Sequence, residues 1–541
     1  MIGARTADPG PANNRVVDVA EMRALEAQAP PGVNLMQNAG QAIAAAILRR
    51  AGSQGGKSVV VLVGPGDNGG DVLIAAAHLA AAGARVTAWA SRERPDDSLV
   101  TAATARGVRW RVWAGNRRPL TQDVRQARCL VDGLLGIGSS PPLRGPVADI
   151  MASLPRVTGQ IRIAVDIPSG IDSDTGAADA SAFPAHLTLA TGPLKLGALL
   201  HPAVEFAGRQ IALDIGLPAT TYVPLQTSRI DARTARRLLP ARPLDGHKGT
   251  FGRLAIVAGS VRYRGAAALA TIAALRAGAG LVTLASVEPA CAATAALAPA
   301  ATFVSLPASP TGQLAATATN VSDEVARPTA LLLGPGLGRS DSSDALVLGL
   351  LDTLKDTPTV IDADGLNAVA DRVDLLKTLG PRCILTPHPG ELARLLRLAS
   401  PPEGRDRLAA AKDLAVQTQA TIVAKGSPTF VCTGNRVRIL ARPNPALAAA
   451  GSGDVLAGAT ASLLAQGLPA SAAATLGAWL HSRAARIAGG RDDRGVPMEQ
   501  VAAAVGAAAN LRQARPRRRP WRRHRRHRRH RRPPWRQSGT P

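Results

Sequence analysis

"AAAGSGDVLAG", residues 448–458, sets a carboxylate against bare backbone. Gly451 and Gly453 flank Ser452, Asp454 follows, and an apolar run begins that reads as a helix from about Asp454. Glycines let the chain turn tightly and leave amides uncovered. The first amides of a helix have no partner within it, and the helix dipole is positive at that end. The stretch therefore has the chemistry of an anion hole with a carboxylate at its rim. An aspartate that merely caps a helix after a glycine turn has the same local sequence. The surroundings must decide between the two.

Outward from this stretch, strand-like apolar runs alternate with helix-like runs. "RLAIVAGS" (253–260), "ALLLGPGLG" (330–338), "PTVIDADGLN" (358–367), "CILTPHPGE" (383–391) and "TIVAKGSPTF" (421–430) precede it. An earlier series holds "SVVVLVG" (58–64), "RVTAWA" (85–90), "CLVDGLLG" (129–136), "IRIAVDIPSG" (161–170) and "QIALDIG" (210–216). Such alternation predicts parallel sheets covered by helices on both faces. Between the two series, residues 217–249 are rich in Pro, Arg and Thr and lack strand runs. The expected organisation is one α/β domain over 15–225, a second over 226–510, and a tail over 511–541. Ala and Gly dominate and aromatics are few, so the elements should pack closely with small side chains.

The formal charge of +25 suggests a nucleic-acid partner until its distribution is examined. Fourteen arginines lie between Arg512 and Arg536, and without them the chain carries +11. Arginine outnumbers lysine 57 to 7, a compositional bias that makes each surviving lysine informative. Four separated cysteines form no CxxC pair, which argues against a zinc site or a disulfide framework and fits a reducing cytoplasm. The opening residues have no apolar core, unlike a signal peptide. The most apolar long stretch, 290–306, is mostly alanine with Pro299 inside and is too short and weak to span a bilayer.

"GPGDNGGD", residues 64–71, contains GxGxxG at Gly64, Gly66 and Gly69. A dinucleotide fold would place pyrophosphate there. Asp67 and Asp71 would then stand against the phosphates, an unfavourable like-charge contact. Carboxylates and the Asn68 carbonyl suit a hard cation or sugar hydroxyls better. Asp132 ends another strand, and Asp166 and Ser169 follow a third. Ligands of parallel sheets bind at the carboxyl ends of strands, so these three acidic ends should share one crevice. Each aspartate alone could instead cap a helix or turn.

Together "LMQNAG", "GPGDNGGD", "VDGLLGIG", "VDIPSG" and "TGPLKLG" resemble the NAD(P)H-hydrate epimerase domain, over residues 15–220. The resemblance implies a Rossmann-like αβα fold and a potassium ion (K+) on Asn68, Asp132 and Ser169. It implies contact with the hydrated dinucleotide by Asp67, Asn68, Gly69, Gly70 and Asp71. It implies the same for Gly136, Ile137, Gly138, Ser139, Ser140, Pro141, Pro142, Asp166 and Lys195. The activity implied is exchange of the R and S hydrates at C6 of the nicotinamide ring. Asp166 is the expected proton donor and acceptor. Two positions depart from the family pattern: Asp67 replaces a usual Asn, and Val72 stands where a small residue is common.

The second series, with "HKGTFGRLAIVAGS", "GPGLG", "DADGLN", "TPHPGE", "AKGSPTF" and "GSGD", resembles the ribokinase-like ADP/ATP-dependent NAD(P)H-hydrate dehydratase domain over 230–508. The whole chain thus resembles the two-domain hydrate-repair family, acting on NADHX and NADPHX with ADP or ATP and Mg2+. In this reading the 451–454 turn faces a transferring phosphoryl group, and Asp454 takes the proton of the C6 hydroxyl. Nucleotide contacts are expected from Lys425, Gly426, Ser427, Pro428, Thr429, Gly451, Ser452 and Gly453. Ala266, Gly338, His388 and Asp454 are expected to face the hydrate, although His388 could equally be a satisfied loop histidine. Lys195, Lys248 and Lys425 each fall inside a matched motif. The family's threonine and glycine before GSGD are Ala449 and Ala450 here. A missing hydroxyl removes about 1 kcal/mol of hydrogen bonding, or roughly five- to tenfold in nucleotide affinity.

The tail "RRHRRHRRHRR" spaces three histidines at i, i+3 and i+6, but the surrounding arginines would repel a dication. A disordered and dispensable segment is expected, with at most non-specific attraction to nucleic acid. Two other functions fit parts of the sequence. One is a ribokinase-like small-molecule alcohol kinase with an accessory dinucleotide-binding domain. The other is a nucleic-acid-binding protein that works through the tail. A homo-oligomer is compatible with all of them, and no membrane partner is expected.

Overall fold

The computed structural model describes residues 14–55, 58–317, 327–441, 444–490, 492 and 494–511. The first domain opens with a two-residue strand, β1 (Val16–Val17). Its main sheet is built from β2 (Ser58–Val63), β3 (Arg85–Ala90), β4 (Arg109–Val112), β5 (Cys129–Gly133), β6 (Ile161–Val165), β7 (Leu187–Thr191) and β9 (Arg209–Leu213). A second two-residue strand, β8 (Leu194–Lys195), pairs with β1 beside it. The spatial order of the main sheet is β4-β3-β2-β5-β6-β7-β9, and every pair is parallel. The order reverses between β2 and β5, which opens a crevice at their carboxyl ends. Val59, Val61 and Val63 join one apolar cluster and Val60 and Leu62 another. Successive side chains point to opposite faces, so both faces of β2 are covered.

The second sheet holds β10 (Thr227–Arg229), β11 (Arg253–Val257), β12 (Leu281–Ser286), β13 (Thr302–Ser305), β14 (Ala330–Leu333), β15 (Thr359–Ile361), β16 (Cys383–Leu385), β17 (Thr421–Ala424), β18 (Thr429–Thr433) and β19 (Arg436–Leu440). Its order is β10-β19-β18-β17-β16-β15-β14-β11-β12-β13. Only the β17–β18 and β18–β19 pairs are antiparallel. Five consecutive parallel strands, from β17 to β11, therefore line up their carboxyl ends in one row.

Helices Arg264–Ala277, Ser452–Ala465, Ala470–Gly489 and Met498–Ala509 cover one face of this sheet. Their small residues allow close approach, as the composition predicts. A Cβ added at Gly458 would lie 2.1 Å from the Ala270 carbonyl oxygen.

The segment 217–249 differs from its reading as strand-free. β10 lies inside it and pairs with β19 at the sheet edge. Its three residues are half-buried and polar, so no apolar run announces them.

The domains share one apolar cluster, in which Leu194, Leu196, Leu199 and Leu200 of the first meet Leu385, Leu408 and Phe430 of the second. Beyond Leu511, the Arg-rich tail and its three histidines lie outside the described residues. Among the described residues no helix is long and apolar enough to cross a membrane.

Candidate active sites

The first crevice forms where β2, β5, β6 and β7 end side by side. Its glycines serve close backbone approach. A Cβ on Gly64 would lie 1.7 Å from the Leu134 carbonyl oxygen, and one on Gly69 would lie 2.1 Å from that of Gly64. The helix Asp67–Ala81 starts here, with Gly66 at its cap. This places Asn68 in the first turn, where it is buried. Asn68 Nδ2 donates to the carbonyls of Leu135 at 2.7 Å and Val165 at 3.3 Å. Its Oδ1 is buried without a hydrogen-bond partner. Asp132 is wholly buried; its Oδ1 accepts from Ser169 Oγ at 2.7 Å and Leu134 N at 3.2 Å, and its Oδ2 from Ser169 N at 2.8 Å. Burial outweighs these bonds and raises the Asp132 carboxyl to about 6. Ser169 Oγ also accepts from Leu135 N at 3.0 Å. The three sequence-predicted cation ligands thus meet around Leu135.

Asp166 sits just past β6 with φ +65°, a backbone state that side chains other than glycine rarely adopt. Its Oδ1 accepts from Thr191 Oγ1 at 2.7 Å and Thr191 N at 3.2 Å and forms an ion pair with Lys195. Lys195 is only 1% exposed, and its ammonium also donates to the carbonyls of Thr191 and Pro193. It braces Asp166 from behind and does not line the crevice. Asp166 Oδ2 points the other way, 3.9 Å from where a Cβ of Gly136 would stand. From Gly136 the loop turns back on itself through Ser139, packs Ile137 against the Met22 and Leu25 cluster, and exposes Gly138, Ser140 and Pro142.

Asp71 carries the largest surprise. Burial, then repulsion from Asp166 and Asp67, lift its carboxyl to about 8, with Lys195 only partly offsetting them. A carboxyl held well above its ordinary value and a carboxyl braced by a lysine therefore face one crevice, an arrangement suited to separating proton donor from acceptor. Neither this state nor the Thr191 contact was evident from sequence, although both residues lie inside the motifs "GPGDNGGD" and "TGPLKLG".

A raised value means the protonated form stabilises the fold. The Asp71 contribution is whole below its ordinary value of 3.8 and is lost as the pH rises to about 8. Each pH unit in that window removes up to about 1.4 kcal/mol. The melting temperature of the wild-type protein is expected to fall relative to Asp71→Asn between pH 6 and 8. Parallel melting curves across that range would contradict the assignment.

The second crevice lies across the ends of β14 to β17. Asp362, 1% exposed, ends β15, and its Oδ1 accepts from Lys425 Nζ and from Thr386 Oγ1, both at 2.7 Å. Lys425 also stands 3.6 Å from Glu391. Burial alone would lower the lysine; Asp362 and Glu391 outweigh it and push the ammonium up. Burial and the same crowding, chiefly Asp362 after Lys425 has offset part of the cost, leave Glu391 at about 7.

The turn at 451–454 behaves as its glycines demand. Gly451 takes φ +85° and caps the helix, which starts at Ser452, two residues earlier than the sequence suggests. Asp454 is then its third residue. Burial first, then repulsion from Asp362, raises the Asp454 carboxyl to about 7, while Lys425 pulls the other way. A Cβ on Gly453 would lie 3.4 Å from Lys425 Nζ, so the helix start, the lysine and Asp362 converge.

A cavity of about 630 Å³ opens beside them. Lys425, Gly426, Ser427, Thr429, Ser452, Gly453 and His388 line it. Pro428, Gly451 and Asp454 are not in its lining; Asp454 lies beside it, one residue past Gly453. The Pro428 carbonyl is taken up by Arg407 Nη2 at 2.5 Å, and Gly451 is spent on the turn. Arg407 fits beneath the loop because Gly426 has no side chain; a Cβ there would meet Arg407 Nη1 at 1.7 Å. Ala449 lies in the cavity wall, so the missing threonine hydroxyl falls where it would face a ligand.

His388 is satisfied locally and also stands in the cavity wall. Its Nδ1 caps the helix Pro389–Leu396, accepting from Gly390 N at 3.0 Å and Glu391 N at 3.2 Å, while its ring also borders the cavity. Ala266 and Gly338 lie farther along the row. Ala266 packs on Gly336, and Gly338 N donates to Asp364 at 2.9 Å. Asp362, Glu391 and His481 escaped the sequence reading. His481, lowered to about 4 first by burial, holds Ser452 Oγ at 3.2 Å from inside the next helix.

With both crevices defined, comparison with known proteins is direct. Residues 32–197 match the family described as YjeF-related protein N-terminus, and residues 254–505 the family described as NAD(P)H-hydrate dehydratase. The chain is 35% identical over 487 residues to the bifunctional NAD(P)H-hydrate repair enzyme Nnr of Moorella thermoacetica, covering 87% of this chain and 91% of that one. It is 38% identical over 457 residues to the protein of that name from Mycobacterium tuberculosis, covering 83% and 88%. Among solved structures, the ADP/ATP-dependent NAD(P)H-hydrate dehydratase of Bacillus subtilis, co-crystallised with ATP and Mg2+, is 25% identical with a TM-score of 0.43. That match covers 52% of this chain and 96% of that one.

Proposed function

The chain belongs to the bifunctional NAD(P)H-hydrate repair family, and from that premise we propose that its two crevices treat the same damaged coenzyme in succession. The first exchanges the R and S hydrates of NADH and NADPH. The second dehydrates the S form at the expense of ADP or ATP, with ADP the donor that the fused arrangement favours. The observation that carries this reading is Asp454. It is a carboxyl raised to about 7, at the start of a helix whose free amides and neighbouring Lys425 suit a phosphoryl group.

In the second crevice Asp454 accepts the proton of the C6 hydroxyl, whose oxygen then attacks the terminal phosphoryl group as the remaining nucleotide leaves. The phosphate ester is a better leaving group than hydroxide: its bond to C6 breaks, the neighbouring C5 gives up a proton to solvent, and the C5–C6 double bond so formed restores the dihydronicotinamide. Lys425 balances charge on the phosphates, and Asp362 and Glu391 hold Lys425 in place. Among the described residues no three His, Cys, Asp or Glu side chains gather into a metal site. Mg2+, bound together with the nucleotide, would neutralise charge on its phosphates. A crystal soaked with ADP and Mg2+ should place the terminal phosphate within hydrogen-bond reach of the amides of residues 452–454. Phosphates lying elsewhere in the chain would overturn the reading.

In the first crevice Asp166 moves the proton at the C6 hydroxyl and Asp71 supplies the neutral partner, while Lys195 acts through Asp166. Asp67, Asn68, Gly69, Gly70 and the loop from Gly136 to Pro142 are the proposed contacts of the dinucleotide. The oxygen donors of Asn68, Asp132 and Ser169 fit a potassium ion. Asn68 Oδ1 lacks any other partner, and the Asp132 carboxyl is fully buried beside Ser169. A bound K+ would offset the crowding of carboxylates there. Replacing lithium with potassium in the buffer should raise the melting temperature of the wild-type protein, and Asn68→Ala should lose that increment. An equal response in both proteins would remove Asn68 from the site.

The four cysteines are buried and free, which accords with a reducing, cytoplasmic setting.

A further inference from the structure

The cavity beside Lys425 is not built by the second domain alone. His201, from the first domain, stands in its wall. His201 Nε2 lies 2.9 Å from Ser427 Oγ, inside the Lys425–Thr429 loop, and its Nδ1 lies 3.3 Å from Glu205 Oε1. One ring nitrogen is thus oriented by a carboxylate and the other meets the nucleotide loop.

The segment that carries His201 is packed into the first domain. Residues 191–200 are all buried. Leu196 N donates to the Val17 carbonyl at 2.9 Å and Gly197 N to that of Ser173 at 2.7 Å. A Cβ on Gly197 would lie 2.1 Å from the Asp172 carbonyl oxygen, so the two backbones pass in close contact there. Six residues before His201, Lys195 braces Asp166 in the other crevice. A single buried stretch therefore runs from the lysine behind one site to His201 in the wall of the other. An imidazole held at a loop hydroxyl fixes which way that hydroxyl points. The Lys425–Thr429 loop is otherwise tied by the ion pairs of Lys425 with Asp362 and Glu391. Arg407 holds its backbone at Lys425 and Pro428, and Thr429 Oγ1 bonds within the loop.

We propose that His201 of the first domain is a nucleotide-positioning residue of the second crevice, acting through Ser427 on the phosphates or ribose of bound ADP or ATP. The inference rests on the assignment of this cavity to the nucleotide. It gives the fusion of the domains a physical role, since the nucleotide site is complete only when both are present.

The test measures binding of ADP and ATP to the full-length chain by titration calorimetry, together with the nucleotide KM and kcat of dehydration. His201→Ala should weaken nucleotide binding three- to tenfold and raise the nucleotide KM by the same factor, with kcat at saturation unchanged. His201→Gln, which keeps a hydrogen-bonding group, should recover most of the affinity. Ser427→Ala should produce a similar loss, and the double variant should lose no more than either single one, because both remove one interaction. Unchanged affinity in His201→Ala, or fully additive losses, would overturn the proposal. Lys425→Ala separates the two levels. If it abolishes nucleotide binding while His201→Ala does nothing, only the role of His201 falls. If Lys425→Ala binds nucleotide as tightly as wild type, the cavity assignment falls and takes the inference with it.

Discussion

Asp454→Asn is expected to lower the dehydration rate by roughly 10²–10⁴-fold, the range for loss of a positioned general base, while epimer exchange continues at the wild-type rate. Asn keeps the shape and can still cap the helix, but it cannot accept the hydroxyl proton. The direction with pH follows from the raised carboxyl. A base must be ionised to act, so dehydration should climb as the pH passes about 7 and fall about tenfold per unit well below it. The variant should be flat across the same range. Thermal stability works in the opposite sense, because the protonated Asp454 is the form the fold favours. The variant should therefore be at least as stable as wild type at pH 8, so loss of turnover by misfolding is separable from loss of the base. Wild-type turnover in a folded Asp454→Asn protein would remove Asp454 from the chemistry.

Asp166→Asn should show the converse: epimer exchange down by roughly 10²–10⁴-fold and dehydration of the S hydrate intact. The substitution leaves Lys195 buried with two carbonyls and no carboxylate. Stripping a buried charge of its partner costs about 3–5 kcal/mol, so this variant should also melt lower than wild type. Lys195→Met makes a useful companion. It removes the brace and leaves Asp166 in place, so exchange should weaken with a changed pH profile. If Lys195→Met exchanged epimers with an unaltered profile, Lys195 would have no part in positioning Asp166.

Much of this was legible in the residues. Alternating runs such as "SVVVLVG" and "DVLIAAAHLAAAG" gave both sheets because fully covered parallel strands must be apolar on both faces. Asp67, Asp132 and Asp166 were placed in one crevice by their positions at strand ends, and Gly453 and Lys425 by their motifs. β10 was hidden because an edge strand of three polar residues leaves no period to read. The raised carboxyl of Asp71 was hidden because it arises from burial and from Asp166, ninety-five positions away, neither of which a local window contains. Asp362 illustrates the same limit. Its motif "DADGLN" was visible, but its bond to Lys425 spans the interval from β15 to β17. His201 was silent for another reason: its role depends on how two domains pack, and no motif within either domain encodes that contact.

The most direct measurement supplies an equal mixture of both hydrate epimers with ADP and Mg2+ and follows the near-ultraviolet absorbance of the restored dihydronicotinamide. Wild-type protein should recover the whole mixture. Asp166→Asn should stop near half, Asp454→Asn should recover nothing, and the two variants combined in one tube should again recover all of it. A single substitution that abolished both activities in a folded protein, or a mixture of the two variants that stayed near half, would contradict two separate crevices sharing one substrate.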